Sequence, residues 1–187
     1  MTSSLAPRFN LAAVPVDPAV HEVFFNAAAS LRDFADGYLL ARDTSLPHVS
    51  LCHFRAADDD AARALTQDFT GLDLTLFNTG TYVLAGTAEH TGKFWGGIIE
   101  RRSAPLMALQ AKTVATLRQT ALEIFHSSGD AYFPHFTLVR SAVPPPLQGA
   151  EIFSDKLIGR EIACRVCLGR SDENGQLTKI LAGGLPL

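Results

Sequence analysis

The sequence predicts a bilobal, pseudo-twofold fold of strands and helices, because one pattern of residues occurs twice. Proline, histidine, an apolar residue, a hydroxyl residue and leucine follow one another at Pro47–Leu51 and again at Pro134–Leu138. A proline that opens a predicted helix lies 30 residues before the histidine in both copies. The equal spacing indicates a duplicated unit, and a twofold relation between the units places their equivalent strands across a shared central groove.

The elements of the first half are predicted from residue periodicity and helix-start signals. The apolar stretch Phe9–Val16 is typical of a strand. Asp17 and Pro18 suit the N-cap and the first position of a helix. Apolar residues at helical spacing extend this helix to Ala35, and Gly37 is its predicted stop. Two further strands are predicted, at Tyr38–Ala41 and at Pro47–Phe54.

The middle of the chain contains a run of acids and then a predicted hairpin. The run, Asp58–Asp60, suits either a metal site or a helix start. The helical pattern that follows favours the helix start, where carboxylates meet the positive end of the helix dipole. Alternation predicts a strand at Leu72–Phe77, a turn at Asn78–Gly80 and a partner strand at Thr81–Thr87. Another strand is predicted at Phe94–Arg101.

The second half repeats the order of the first. Its helix, the longest one predicted, runs from Ala104 to Phe125 or His126 because apolar residues keep the helical period over this range. The second motif strand begins near Tyr132 and occupies residues near 133–140. The remaining predictions are a short helix or turn at Glu151–Leu157 and a hairpin of strands Ile162–Arg170 and Gln176–Ala182 around an Asn-Gly turn.

The repeated motif suits acid–base chemistry. Successive strand side chains point to opposite faces, so His48 shares a face with Ser50, and His135 shares one with Thr137. Two facing strands bring two imidazoles and two hydroxyls to one cleft. Histidine titrates near neutral pH, so one ring can serve as general base and the other as general acid, while the hydroxyls bind phosphoryl oxygens. A single histidine in an apolar strand is more often structural, but two equivalent pairs favour catalysis or phosphate binding.

The two motifs also resemble those of a known family. His48–Leu51 and His135–Leu138 are similar to the paired H-φ-[ST]-φ signature of the 2H phosphoesterase superfamily. The resemblance is to its 2′-5′ RNA ligase-like and cyclic phosphodiesterase branch, which the C-terminal strand, glycine turn and final strand also resemble. It implies an α+β fold with two antiparallel sheets facing across a central cleft, helices on the outside, and residues 1–187 in a single bilobal domain.

The residues and the resemblance together predict an enzyme. It is a metal-independent phosphodiesterase, without a cofactor, that hydrolyses 2′,3′-cyclic phosphates or 2′-5′ bonds in RNA ends or small nucleotides. His48 and His135 are the catalytic acid and base in an order left open, and Ser50 and Thr137 bind phosphate. Two alternatives stay open: 2′-5′ ligation of RNA ends by the same residues, and a non-catalytic nucleotide- or RNA-binding module.

Four further side chains near the motifs are candidates for the cleft. Arg140 either contacts a phosphate at the cleft mouth or is solvated. Tyr132 either contacts the substrate by stacking on a base or packs in the core. Strict alternation places Cys52 on the face of His48 and Ser50, where packing is its better interpretation. The same alternation places His53 on the opposite face, with a structural role.

Composition limits the partners and the compartment. The 187 residues include 16 basic and 19 acidic side chains, a net charge of −3. Long duplex DNA is therefore a poor partner, and a small nucleotide or an RNA end fits better. The three cysteines form no disulfide framework, and Cys164-x-x-Cys167 is not a metal site because i and i+3 face opposite ways in a strand. With no signal peptide and no membrane span predicted, we expect a cytoplasmic monomer.

Overall fold

The chain folds into an antiparallel sheet with helices packed against it. The computed structural model describes residues 6–86, 91–121, 123–125, 129–147, 156–172 and 174–185. The elements among these residues are, in chain order, β1 (Arg8–Pro15), α1 (Pro18–Ala29), β2 (Ala35–Leu39), β3 (Val49–Arg55), α2 (Asp59–Thr66), β4 (Asp73–Ala85), β5 (Phe94–Glu100), α3 (Ala104–Leu117), β6 (Glu123–Ile124), β7 (His135–Ser141), β8 (Glu161–Ser171) and β9 (Leu177–Ala182).

The three α-helices of the described residues begin where the sequence places their caps. The side chains of Asp17, Asp58 and Ser103 each accept a hydrogen bond from a backbone N–H in the first turn of α1, α2 and α3. Proline occupies the first turn of α1 and of α3. The interpretation of the acidic run as a helix start is confirmed, because Asp58 caps α2.

The strands form one continuous antiparallel ladder. Its order is β2-β7-β5-β4-β8-β1-β3-β6, with β9 added beside β8. The predicted α+β fold of antiparallel strands with outer helices is confirmed. The two half-sheets are joined, because β4 pairs with β5 at one end and with β8 at the other, and β3 meets β7 where Val49 faces Phe136. That residues 1–187 form a single domain stays a prediction.

The strand order contains the internal repeat that the two motifs predict. Each of β1–β4 has a counterpart four strands later in the chain, so that β1 corresponds to β5 and β4 to β8. If every strand is replaced by its counterpart, the order becomes β6-β3-β1-β8-β4-β5-β7-β2, which is the observed order read backwards. In this relation β3 corresponds to β7, and α1 to α3. The halves also interleave: β2 pairs with β7 and β6 pairs with β3, so the short edge strand of each half extends the other half's motif strand.

Two predicted segments differ from the structure in the first half of the chain. The expected hairpin around Asn78–Gly80 is wrong, since β4 runs unbroken from Asp73 to Ala85 with a bulge at Thr79. The bulge absorbs the residues that suggested a turn. The helix predicted to reach Ala35 ends at Ala29, and Gly37 lies inside β2, whose pairing with β7 takes these residues out of the helix.

The second half differs at the end of its helix. α3 ends at Leu117, although helical periodicity continues to Phe125, because Glu123 and Ile124 pair with β3 as strand β6. His126 and residues 151–155 of the predicted short helix or turn lie outside the described residues. The second motif strand starts at His135, and the C-terminal hairpin of β8 and β9 is confirmed.

The core lies between the sheet and the helices. Phe24 of α1 packs on Phe136 of β7 with ring centroids 4.4 Å apart. On the other motif strand, buried leucines of α3 (Leu106 and Leu117) join the core cluster that contains Leu51. Apolar motif residues thus fix the strands from behind, which leaves the opposite face of each strand for polar side chains.

One carboxyl group of this core gives a testable pH dependence. Glu100 is 2% exposed, and burial raises its pKa to about 8, against an opposing effect of the Phe77 backbone. The folded protein therefore holds a proton that the unfolded chain loses above pH 4.5, and stability falls as pH rises from there to about 8. We expect Glu100→Gln to be more stable than the wild type at pH 8.5 by about 1–3 kcal/mol.

Urea unfolding at pH 5 and pH 8.5 measures this difference. The matched control is Glu161→Gln, since Glu161 is an exposed strand residue. The control should follow the wild type at both pH values. An identical pH dependence in Glu100→Gln and the wild type would show that Glu100 is not the group responsible.

Candidate active site

The structure brings both motif histidines into one site. His48 directly precedes β3, and His135 is the first residue of β7. The two strands meet at the antiparallel pair Val49–Phe136, one residue beyond each histidine. The rings are close enough for a charge on His135 to lower the pKa of His48.

Both imidazole rings are anchored in the same way. Nδ1 of His48 lies 2.7 Å from the Leu46 carbonyl oxygen, and Nδ1 of His135 lies 2.7 Å from that of Phe133. A carbonyl only accepts, so each Nδ1 carries the proton and donates it. The neutral ring then has its lone pair on Nε2. Each histidine is therefore held in the tautomer in which Nε2 is the acceptor.

Burial favours the neutral form of both rings. It lowers the pKa of His48 to about 4, and a charge on His135 adds to this, while the Leu46 carbonyl, Asp172 and the Gly175 backbone oppose it. Burial likewise lowers the pKa of His135, against the effect of the Phe133 carbonyl. An anion between the rings would favour their charged forms, so phosphate binding and protonation are coupled.

The motif hydroxyls have partners that leave them available. Ser50 Oγ accepts a hydrogen bond from Asn10 Nδ2 at 2.8 Å, so its own proton can go to a ligand oxygen. Thr137 Oγ1 lies 3.3 Å from the hydroxyl of Tyr82. The ring of Tyr82 packs edge-on to His135 at 4.9 Å between centroids. Tyr82 thus contacts both polar residues of the second motif.

A β-bulge follows the hydroxyl in each motif and changes which residues face the cleft. On β3, Ser50 and Cys52 face consecutive residues of β1, so Leu51 is the extra residue. On β7, Thr137 and Val139 face consecutive residues of β5, so Leu138 is the extra residue. Each bulge buries two successive residues and reverses the alternation beyond it.

The expected faces of Cys52 and His53 are therefore wrong. Cys52 is fully buried in the core, whereas His53 faces Asn10 across β1 and β3. The Cε1 atom of His53 would lie only 2.5 Å from a Cβ placed on Gly175, a residue whose φ of 83° also favours glycine. Since Asn10 donates to both Ser50 and Gly175, His53 lies beside the motif hydroxyl.

Arg140 is the counterpart of His53 on the second motif strand. Its Nε donates to the Asp36 carbonyl at 3.0 Å, and one terminal nitrogen donates to Asn174 Oδ1 at 2.7 Å. Its guanidinium carbon lies 5.6 Å from the centroid of the Trp95 ring. These contacts hold Arg140 between β2 and the β8–β9 hairpin, and the phosphate contact predicted for it stays a prediction.

Tyr132 lies beneath the site. Its ring is only 2% exposed, and its hydroxyl donates to the Ser50 carbonyl at 3.0 Å. The sequence suggested stacking on a substrate base, which needs an exposed ring face. We propose instead that Tyr132 positions the first motif, because it ties the loop before β7 to the backbone of β3.

The turn of the β8–β9 hairpin covers His48. Asp172 Oδ1 accepts from the backbone N–H groups of Asn174 and Gln176, which fixes the turn. His48 is 8% exposed and faces the backbone of Gly175. The sequence predicted the hairpin but not its place in the site, and Asn10, a polar residue within an apolar strand, was the one readable signal of a buried polar contact.

A cavity of about 480 Å³ opens beside the second motif. His135, Thr137, Trp95 and Asn174 contribute to its lining, and Phe125 bounds it on the side of the first motif strand. This volume is typical of small-molecule sites. Within the described part of the chain, no three His, Cys, Asp or Glu side chains are grouped so as to hold a metal ion. None of the described helices is long and apolar enough to span a membrane.

Solved structures share this architecture. The apo crystal structure of E. coli LigT superimposes with a TM-score of 0.52 and 19% sequence identity over 90% of each chain. The chain has the LigT fold. E. coli LigT in complex with 3′-AMP gives a TM-score of 0.51 at 19% identity, covering 90% of this chain and 89% of that one. Its ATP complex gives 0.51 at 18% identity, with coverages of 89% and 88%.

The LigT fold confirms the fold that the resemblance to 2H phosphoesterases predicted. No model of a known protein family and no curated protein sequence matches the chain. At 19% identity the likeness to LigT concerns the fold, so the chemistry of the site has to be argued from the side chains of this chain.

Proposed function

We propose that the chain is a 2H-type phosphodiesterase that hydrolyses 2′,3′-cyclic phosphates or 2′-5′ phosphodiester bonds in RNA ends or small nucleotides. The observation that carries this proposal is the matched anchoring of His48 and His135, each with Nδ1 on a backbone carbonyl. Hydrolysis of a phosphodiester needs one proton acceptor and one proton donor, and two such imidazoles provide both without a metal ion.

The proposed roles follow from the surroundings of each ring. His48, with a pKa of about 4, stays neutral and accepts the proton of the attacking water at Nε2. Water oxygen bonds to phosphorus, the bond from phosphorus to the ribose oxygen breaks, and protonated His135 gives its Nε2 proton to the leaving oxygen. Proton exchange with solvent then restores both rings. Ser50 and Thr137 donate to the non-bridging oxygens as charge moves onto them.

The solved complexes of LigT support a nucleotide ligand. That protein, which has the same fold, has been crystallised with 3′-AMP and with ATP. A cavity of about 480 Å³ beside His135 has room for a phosphate and its ribose. Trp95 and Arg140 at its edge supply an aromatic face and a cation, which suit a base and a phosphate.

A substrate panel in EDTA tests the proposal. We would incubate the protein with 2′,3′-cyclic nucleotides, with RNA ending in a 2′,3′-cyclic phosphate, and with 2′-5′-linked oligoadenylate. Phosphorus NMR of the product identifies the leaving oxygen. Turnover that persists in chelator supports the proposal. Joining of the RNA end to a 5′-hydroxyl strand would instead identify a ligase, and nucleotide binding without turnover of any substrate would identify a binding module.

The pH dependence of kcat/KM gives a further prediction, because it reports the free enzyme. Activity should rise with pH through about 4, where His48 becomes neutral. It should fall as pH passes the pKa of His135, which lies below the ordinary value of 6.5. We therefore expect a maximum between about pH 4 and 6.5. The maximum of kcat should lie at higher pH, because bound phosphate stabilises both charged rings. A kcat/KM plateau extending to pH 8 would contradict these roles.

A further inference from the structure

An aromatic ring that packs against two arginines extends the cleft beyond the first motif. Arg8 of β1 and Arg55 of β3 are partners in the strand register. Their guanidinium carbons lie 4.8 Å and 5.2 Å from the centroid of the Phe125 ring. The backbone N–H of Phe125 donates to the His53 carbonyl at 3.0 Å, which fixes the ring beside β3. The side chains of Arg8, Arg55 and Phe125 together form a stacking platform.

The stacking platform faces the same cleft as the motif residues. Arg8 is two residues from Asn10 on β1, and Arg55 is two residues from His53 on β3, so all four share a face. Asn10 contacts Ser50. Phe125 lines the same cavity as His135 and Thr137. The polar face of β3 thus runs from the motif, past His53, to the platform.

Packing alone does not account for the position of Phe125. Its side chain is 40% exposed, among the most exposed large apolar residues described. Arg55 is held in place by an ion pair with Glu123 and a hydrogen bond to the Ala6 carbonyl. Glu123 pairs with Arg55, and Arg8 places a second guanidinium group beside the same ring. An exposed ring with flanking guanidinium groups is the arrangement with which proteins bind single-stranded nucleic acid.

We propose that the stacking platform binds the nucleotide next to the one that carries the scissile phosphate, so that the substrate is a single-stranded RNA end of at least two nucleotides. This inference rests on the proposed function. Arg55 lies five residues beyond Ser50, roughly 15 Å along an extended strand, which is too far for the sugar of the same nucleotide. The second base stacks on Phe125, and its phosphate faces Arg8 and Arg55. The two arginines form a local basic group, which is compatible with a net charge of −3 for the whole chain.

Binding of two unreactive probes tests the proposal. Adenosine 3′-monophosphate and the dinucleotide ApAp end in the same phosphomonoester and differ by one nucleotide. Calorimetry at fixed salt gives the ratio of their affinities for each variant. The wild type should bind ApAp about 5- to 100-fold more tightly, the range expected for one stacked base. Phe125→Leu should bring the ratio close to one, and Phe125→Tyr should retain it.

Two further variants make the test specific. Phe25 of α1 also lies beneath an arginine, with Arg42 6.0 Å from its ring centroid, so Phe25→Leu is the matched control and should keep the wild-type ratio. Arg8→Gln should lower the salt dependence of ApAp binding by about 0.7 in log–log slope, the share of one phosphate contact in a single strand. The same Arg8→Gln substitution should leave the salt dependence of adenosine 3′-monophosphate binding unchanged.

The outcome is separable from that of the proposed function. A wild type without a preference for ApAp overturns the platform, and so does a Phe125→Leu protein that loses affinity for both probes equally. Since neither probe reacts, this result is obtained whether or not the enzyme turns over any substrate in the panel. If no substrate of the panel is turned over but the protein still prefers ApAp, the proposed hydrolysis is refuted and the platform is not.

Discussion

Replacing His135 with alanine should lower kcat on 2′,3′-cyclic AMP by about 100- to 10,000-fold, the usual contribution of a positioned acid or base. The loss should appear in kcat, because the imidazole acts on the leaving oxygen in the transition state. His48→Ala should lose activity to a similar extent. The two rings serve one reaction as a pair, so the double variant should be little worse than either single variant.

The matched control is His21→Ala. His21 lies on α1 and contacts the Pro15 carbonyl at 2.7 Å, outside the cleft. It also belongs to a histidine–carbonyl pair, so its replacement controls for the loss of a ring and of one such hydrogen bond. We expect its kcat to stay within about twofold of the wild type, as for a surface substitution away from the site. Retention of a tenth or more of wild-type kcat in His135→Ala would exclude His135 as the acid.

Replacing Gly97 with alanine should destabilise the protein by at least about 3 kcal/mol. Gly97 faces Thr137 across β5 and β7, next to the bulge at Leu138. A Cβ atom at this position would lie 1.9 Å from the Phe136 carbonyl oxygen and 3.0 Å from the Tyr82 ring. The carbonyl belongs to the motif backbone and cannot rotate away, so β7 itself must move, and Thr137 with it.

Urea unfolding measures the loss, and Gly80→Ala provides the control. Gly80 lies on the adjacent strand β4, and a Cβ atom there would meet nothing within 4 Å. Its replacement should change stability by less than about 1 kcal/mol. A Gly97→Ala protein as stable and as active as Gly80→Ala would mean that the β7 backbone tolerates displacement at the second motif.

The sequence predicts the centre of the site because two simple rules hold there. Alternation along a strand places His48 with Ser50 and His135 with Thr137, and up to the hydroxyl neither strand has an irregularity. The paired helix caps also follow from local chemistry, since a side-chain oxygen needs only the next backbone N–H groups. These features depend on residues close together in the chain.

Beyond the hydroxyl, local rules fail. The bulges at Leu51 and Leu138 are set by the partner strands β1 and β5, which no alternation within the motif strand reveals. They return His53 and Arg140 to the cleft face. The sign of a bulge in each motif strand is a pair of successive apolar residues followed by a polar one, at Leu51–His53 and Leu138–Arg140. The sequence predicts helix at β6 for a similar reason, because the pairing of β6 with β3 overrides a helical period.

Because the two halves interleave, neither half alone can hold its motif strand and histidine in place. β3 needs β6, and β7 needs β2, each from the opposite repeat; α1 likewise covers β7, and α3 covers β3. A nascent chain that ends before α3 therefore lacks both α3 and β6, which pack on β3 and pair with it, although it already contains His48. The pair of rings is assembled late and cooperatively, through contacts between residues far apart in sequence, which is slow. Duplication here has produced two copies that are mutually dependent for folding, with no half-active form available to a fragment.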